Sequence, residues 1–291
     1  MKPSRSLSCR VSIIAILLVM ASLCAAPGHA RAATFGGDCE GNILVFGVRG
    51  SGESATGNGG VGPNVHAAFQ QFRSTYSMIA PVKLHAIDYP AHDAFTYVPR
   101  VLWGDRTYFK GLDEGVANLS AELEAFGTDP RCQESEQGYG GVLVGYSQGA
   151  MVVHRIIQKY GNEQLERWGI IAALLIADGD RSSADQYGAT YGTGFGIGFH
   201  QGIGQAFPAV SGSIKAPIRR PARPGDGLRV VSVCNWLDPV CDSNPLTIYP
   251  GHFLGVHGSY MRSSALRNAS GYLLGDPACY SNPDCKDPFG R

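Results

Sequence analysis

Five runs of the chain are apolar at most positions: Ile43–Val48, Val82–Ile87, Tyr139–Val144, Gly169–Ile176 and Leu228–Val233. A strand with one face in water alternates apolar and polar residues, whereas one covered on both faces does not need to. Between these runs the apolar residues recur at helical steps. Pro63 opens a stretch to Tyr76 with Val65, Ala68, Phe69 and Phe72 on one side. Tyr108–Phe126 repeats Leu112, Val116, Leu119 and Leu123. Ala150–Ile157 reads as a third helix, and Gly258–Leu274 as a C-terminal one. Strands alternating with helices predict an α/β fold: a single doubly wound, mostly parallel five-stranded sheet. In such sheets function gathers at the carboxyl ends of the strands. Ser51, Ser147, Asp178 and Asp238 each follow a strand, so they are expected on one edge.

Residues 182–227 break this rhythm with repeated Tyr-Gly and Gly-Phe pairs and a basic, Pro-rich end. They read as a Gly-rich insertion on the active-site side, acting as a flap or as a solvated linker.

The beginning of the chain adds a targeting signal. Lys2, Arg5 and Arg10 precede an almost wholly apolar Val11–Ala26, and Ala30-Arg31-Ala32 supplies small residues for cleavage. This is the pattern of a signal peptide, over residues 1–32, ahead of one domain at 33–291. The apolar run is short for a membrane span. The full chain of 291 residues carries 24 basic and 24 acidic side chains. Removing Lys2, Arg5, Arg10 and Arg31 leaves 20 against 24, a net charge of −4, which argues against nucleic acid as a partner. A secreted, extracellular or envelope protein is expected, monomeric and without a stable membrane span once the signal is cut.

Cysteine usage fits that compartment. Six cysteines follow the signal: Cys39, Cys132, Cys234, Cys241, Cys279 and Cys285. An even count in an exported chain favours disulfides. The short separations make Cys234–Cys241 and Cys279–Cys285 natural local loops, leaving Cys39–Cys132 as the long-range tie. No clustered Cys/His pairs suggest a metal, and no cofactor is expected.

The chemistry centres on Gly145-Tyr146-Ser147-Gln148-Gly149, which lies between a strand and a helix. In that setting G-x-S-x-G exposes a serine nucleophile on a sharp turn too crowded for Cβ atoms at the flanking positions. A serine nucleophile needs a base and a group that orients the base. The candidate acids after it are Asp178, Asp180 and Asp238. Asp238 lies in a loop bracketed by Cys234 and Cys241, and a pinned carboxylate suits orientation of an imidazole. Asp178 is the alternative, or a loop cap. Among the histidines, His154 sits about two turns, ~10 Å, down the helix from Ser147, too far to be the base. His66, His85 and His92 precede the nucleophile without supporting context, and His200 falls in the insertion. His252 and His257 complete the order Ser…Asp…His. His252 is flanked by Phe253 and Leu254, while His257 precedes the C-terminal helix, and local context leaves both open.

Together, Gly145-Tyr-Ser-Gln-Gly149, Arg49-Gly50-Ser51 and Cys-x-x-x-Asp-x-x-Cys at 234–241 resemble the cutinase family, secreted serine esterases of the α/β-hydrolase type that include acetylxylan esterases. The resemblance spans about Cys39 to Tyr260. It implies Ser147 as nucleophile, Asp238 as orienting acid, and His257 as base through its His-x-x-Tyr setting. It further implies Ser51, through hydroxyl and backbone N–H, and the Gln148 N–H as oxyanion donors. Cys39–Cys132 matches the family's long-range disulfide. The insertion and the Cys279–Cys285 tail are additions to the compact pattern.

The function expected on these grounds is hydrolysis of carboxylic esters: cutin-like polyester, short- to medium-chain acyl esters or lipids. An envelope phospholipase or thioesterase and an acetylxylan esterase use the same chemistry. A binding protein that retained the fold without catalysis is the rival class.

Overall fold

The structure, a computed structural model, describes residues 41–133, 140–192, 201–206, 211–212, 217–219, 227–243 and 255–275. Six parallel strands form one sheet: β1 Ile43–Val48, β2 Val82–Ala86, β3 Gly141–Tyr146, β4 Ile170–Ile176, β5 Ala189–Tyr191 and β6 Arg229–Val233, in the order β2-β1-β3-β4-β6-β5. Every residue of β1 and β3 is buried, as their unbroken apolar sequences require. The longer helices are α1 Gly62–Tyr76, α2 Thr107–Thr128, α3 Gln148–Arg167 and α4 Ser264–Gly271.

The helices cover both faces, which confirms the doubly wound arrangement. One face is a core of Ile43, Val45, Val142, Val144, Ala172 and Leu174 against Phe69 and Phe72 of α1 and Leu266 of α4. Alternate residues turn the other way, where Phe46 meets Phe126 of α2 edge-on at 5.4 Å between ring centres. Helices α2 and α3 come close at Gly115, where a Cβ would fall 2.8 Å from Val152 Cγ2. The Tyr76 hydroxyl closes the first layer by donating to the Gly271 and Gly275 carbonyls, at 3.0 and 2.9 Å.

Two expectations change. The sheet has six strands, not five. The sixth, β5, lies inside the expected insertion and pairs with β6, Thr190 opposite Ser232. It is three residues of Ala-Thr-Tyr at a partly exposed edge, so it lacks the apolar run that marks the other strands. The expected C-terminal helix over 258–274 is two pieces, a 3-10 turn His257–Arg262 and α4. Ser263 divides them: extended at φ −78°, ψ 142°, it caps α4 by accepting from the Leu266 N–H.

The strand order reverses between β1 and β3. From β1 the chain moves outward to β2, then returns to lay β3 on the other side of β1. Such a switch point leaves a crevice at the carboxyl ends of the two strands. Val48 stands opposite Gly145 there, so Arg49-Gly50-Ser51 and Tyr146-Ser147 leave the sheet side by side.

Candidate active site

Ser147 leaves β3 with φ 53° and ψ −116°, backbone space that a non-glycine residue rarely occupies. Strain of this kind amounts to about 1–3 kcal/mol and persists only where the surroundings enforce it. Here they do. The Ser147 N–H donates to the Ile176 carbonyl at 2.8 Å. A Cβ on Gly145 would lie 2.3 Å from the Gly149 oxygen, and one on Gly149 would lie 2.1 Å from the Val48 oxygen. Both glycines of the motif are therefore dictated by backbone contact, Gly145 within the turn itself and Gly149 against the end of β1 across the switch point.

His257 opens the 3-10 turn and faces this serine, with Nε2 3.0 Å from Ser147 Oγ. Its Nδ1 lies 3.1 and 3.0 Å from the two oxygens of Asp238. An ionised carboxylate only accepts, so Nδ1 carries the proton and Nε2 presents a lone pair to the hydroxyl. Asp238 is wholly buried, and further donors hold it: the Val240 N–H to Oδ1 at 2.8 Å and the Tyr260 hydroxyl to Oδ2 at 2.5 Å. The Cys234–Cys241 disulfide closes the loop around it. Tyr260 in turn accepts from the Asn235 N–H at 2.8 Å, tying both ends of the loop to one phenol. Burial first, and then the Asp238 charge, push the Tyr260 pKa far above its usual value, so the phenol stays a donor.

Two supports escaped the sequence reading. Tyr146, the variable residue before the serine, stacks on the His257 ring at 5.2 Å and 25°, and its hydroxyl donates to the His257 carbonyl at 2.8 Å. Tyr260 entered that reading only as a marker beside His257, not as a ligand of the acid. Its spacing of three residues from His257 places both side chains on one side of the turn.

The positions expected for oxyanion donors sit beside the serine. Gln148 is the first residue of α3, so its N–H has no carbonyl four residues back to bind. Its buried side chain is fixed separately, donating to the Tyr108 carbonyl at 3.2 Å. The Ser51 hydroxyl donates to the His92 carbonyl at 2.9 Å and accepts from the Ala94 N–H at 2.7 Å. As an oxyanion donor that hydroxyl would have to leave His92, whereas the Ser51 backbone N–H carries no such commitment. Buried Arg49 anchors the turn: its guanidinium donates to the Tyr89 and Ile87 carbonyls and lies 5.1 Å over the Tyr89 ring.

Glu53 adds a second carboxyl group to this corner. It accepts from the Gly50 N–H at 2.6 Å and fills the space beside Gly62, where a Cβ would lie 2.0 Å from Oε2. Burial pushes its pKa up to about 7, against the opposing pull of the Gly50 N–H and the nearby His257.

The other candidates are engaged elsewhere. Asp178 accepts from His154 Nδ1 at 2.5 Å, both side chains being fully buried, and Asp180 pairs with Arg155 Nε at 2.6 Å. His66 is hydrogen-bonded to Gln70 at 3.1 Å, His85 lies 3.4 Å from Glu122, and the His92 ring lies against Tyr97. His200 and His252 lie outside the described residues, as do Cys39, Cys279, Cys285 and the expected signal segment. Cys132 is disulfide-bonded, with its expected partner Cys39 outside that range. Among the described residues no helix is long and apolar enough to cross a membrane.

Comparison with known proteins gives the family. The family model described as Cutinase matches residues 38–275. A search of curated protein sequences gives no match. Among solved structures, a cutinase-like protein from Cryptococcus sp. aligns at TM-score 0.52 and 17% identity, over 81% of this chain and 94% of that one. The catalytic core of an acetyl xylan esterase from Trichoderma reesei aligns at 0.49 and 19% identity, over 80% and 99% of the two chains. A Trichoderma reesei cutinase solved with a phosphonate inhibitor aligns at 0.45 and 16% identity, over 81% and 80%. At such identities the first likeness speaks to the fold and the other two add nothing to it. The family match spans most of the chain: it belongs to the cutinase family and is a carboxylic ester hydrolase.

Proposed function

We propose that the chain is a secreted serine esterase that works through an acyl-enzyme on Ser147. The carrying observation is the unbroken relay from Ser147 Oγ through His257 to buried Asp238. His257 Nε2 takes the hydroxyl proton as Oγ attacks the ester carbonyl, and Asp238 stabilises the imidazolium that forms. The Gln148 and Ser51 backbone N–H groups receive the developing oxyanion, joined by the Ser51 hydroxyl once it turns from His92. His257 then protonates the departing alcohol. A water activated by the same nitrogen attacks the acyl-enzyme and releases the acid.

Exposed aromatic residues that neighbour Ala94 and Asp238 in sequence favour apolar substrates, lipid or cutin-like polyester and short- to medium-chain acyl esters, over sugar acetates. Phe95 follows Ala94, which binds Ser51, and Trp236 precedes Asp238 by two residues; they are 60% and 55% exposed. Acetylxylan esterase, phospholipase or thioesterase action would use the same relay and differ only at this rim.

The test is hydrolysis of p-nitrophenyl butyrate by the chain from residue 33 onward. Activity should vanish in Ser147→Ala and His257→Ala and persist in His252→Ala, with circular dichroism unchanged. A phosphonate ester should label wild type by one adduct and leave Ser147→Ala unlabelled. Full turnover in Ser147→Ala would sink the proposal. Rates rising from acetate to octanoate esters and exceeding those on acetylated xylan would fix the substrate class.

A further inference from the structure

The acyl-enzyme chemistry proposed above, on which this inference rests, needs two turns to keep a fixed separation. The turn after β1 carries the Ser51 N–H, and the 3-10 turn His257–Arg262 carries the base. The ring of Tyr146 lies between them. It stacks on His257, and a Cβ on Gly50 would lie 2.5 Å from its Cδ1. That contact sets how closely the two turns can approach, but it does not stop them from drifting apart.

A run of hydrogen bonds supplies the tie. The Met261 N–H, in the same 3-10 turn as His257, donates to Asn64 Oδ1 at 2.9 Å. Asn64 stands in the first turn of α1 and is 3% exposed. Its side chain also hydrogen-bonds to Glu53. The Glu53 carboxyl group lies against that same helical turn, in the Cβ space of Gly62, and accepts from the Gly50 N–H at 2.6 Å. Because Oδ1 already accepts from Met261, the Asn64 Nδ2 is the group that donates to Glu53. An amide carries an acceptor and a donor on one short, planar group; a carboxylate lacks the donor and an aliphatic chain lacks both.

We propose that Asn64 is a positioning residue for ester hydrolysis: through Glu53 it ties the turn that carries the Ser51 N–H to the turn that carries His257. Tyr146 is the spacer between the two turns and the Asn64 amide is the strap. Together they fix where the base stands relative to the oxyanion donor, a separation on which the rate of attack depends steeply. Asn64 acts through Glu53 and Met261, so its loss should lower kcat and leave substrate binding alone.

The test compares Asn64→Leu and Asn64→Asp with wild type on p-nitrophenyl butyrate at pH 6 and pH 9, each rate taken relative to wild type at the same pH. Asn64→Leu is similar in size and makes neither bond. Its kcat should fall about 10-fold at both pH values, with KM within about twofold. Asn64→Asp keeps the acceptor for Met261 but sets a second carboxyl group against Glu53. While the pair holds one proton, a carboxyl O–H takes the place of the amide N–H, and at pH 6 kcat should stay within about threefold of wild type. At pH 9 both groups are charged and repel, and kcat should fall about 10-fold. Arg49 and His257 are the charged groups that act on Glu53, and all three proteins share them, so their titration cancels in the ratios. A side chain that merely filled space would give Asn64→Asp the same ratio at both pH values. That result, or full kcat in Asn64→Leu, overturns the proposal; if Asn64→Leu does not fold, Asn64→Asp decides alone. A wild type that neither hydrolyses the ester nor takes up a phosphonate overturns the acyl-enzyme reading and this inference with it, whereas an active wild type with indifferent variants overturns this inference alone.

Discussion

The molecule contains two Asp–His pairs built from the same parts, Asp238–His257 and Asp178–His154. Each aspartate is wholly buried and follows a strand of the same sheet, β6 in one case and β4 in the other. Each accepts from Nδ1 of its histidine, at 3.0 Å and 2.5 Å respectively. They differ at the far nitrogen. His257 is 12% exposed and turns Nε2 to Ser147, whereas His154 is fully enclosed and its Nε2 meets no partner. Burial alone drives His154 toward neutrality, but the Asp178 charge and hydrogen bond outweigh it and lift the pKa to about 9. That pair holds a proton through the neutral range and has nowhere to deliver it. A carboxylate and an imidazole do chemistry only when the outer nitrogen reaches a reactive group; enclosed, the same pair ties α3 to the end of β4.

The sharpest way to break the comparison is to remove each acid. Asp238→Asn keeps the loop's size but cannot fix the Nδ1–H tautomer, and kcat on p-nitrophenyl butyrate should fall on the order of 10⁴-fold with Tm little changed. Asp178→Asn should do the reverse. Breaking a buried pair from one side costs about 3–5 kcal/mol, a Tm loss of roughly 10 °C in a chain of this size, while kcat/KM of the folded enzyme stays within about twofold. Equal loss of activity in both variants would mean that the two pairs are not separate devices.

The pH dependence of stability distinguishes them further. The His154 pKa is raised in the folded state from 6.5 to about 9, so between these values the folded chain binds more protons than the unfolded one. The His154 contribution to stability is therefore complete below 6.5 and declines as pH rises through about 9, by on the order of 3 kcal/mol. Denaturant titrations from pH 6 to 10 should show that decline in wild type and a flatter profile in Asp178→Asn.

The sequence made one of these pairs far more readable than the other. The strands β1, β3 and β4 were legible because burial on both faces writes itself as unbroken apolar runs, and the glycines around Ser147 because a backbone collision excludes every other residue. Asp238 stood out through its bracketing cysteines. His154 and Asp178 lie 24 residues apart on a helix and a loop, with no spacing rule to join them; the first read only as too far from Ser147 to be the base, the second as an alternative acid or a loop cap. Edge strand β5 lacked any apolar signature. Tyr146 occupies a motif position that tolerates many residues, and its contact with His257 spans 111 positions. Local pattern thus reported what the backbone demands, while contacts set by the folded sheet remained out of reach.

A smaller effect is expected from the support behind Asp238, the proposed orienting acid. Tyr260→Phe removes the 2.5 Å hydrogen bond to Asp238 Oδ2. The freed carboxylate becomes more basic and holds the His257 proton more tightly. We expect kcat to drop roughly 10-fold, equivalent to about 1.4 kcal/mol, with KM unchanged. The acid limb of the kcat/KM profile should move to higher pH, a shift that loss of packing alone would not produce.

The smallest effect sharpens the contrast through the carboxyl group that watches the relay without touching it. Glu53 titrates near 7 because burial raises it, and its charge is felt at His257. Once ionised it favours the imidazolium that forms in the proposed attack by Ser147, so wild-type kcat/KM should gain an increment as pH rises through 7. Glu53→Gln is neutral throughout and should match wild type at pH 6 and run about two- to fivefold slower at pH 8. Stability should move the other way. A carboxyl group raised from 4.5 to about 7 keeps its proton longer in the folded chain, so wild-type stability falls across that interval. Above it, Glu53→Gln escapes the burial of a charge and should melt higher than wild type. A variant that is slower and more stable at pH 8, and equal in rate at pH 6, assigns the ionised Glu53 to the relay at the expense of the fold; a variant equal in rate at both pH values removes it from the catalytic side of the comparison.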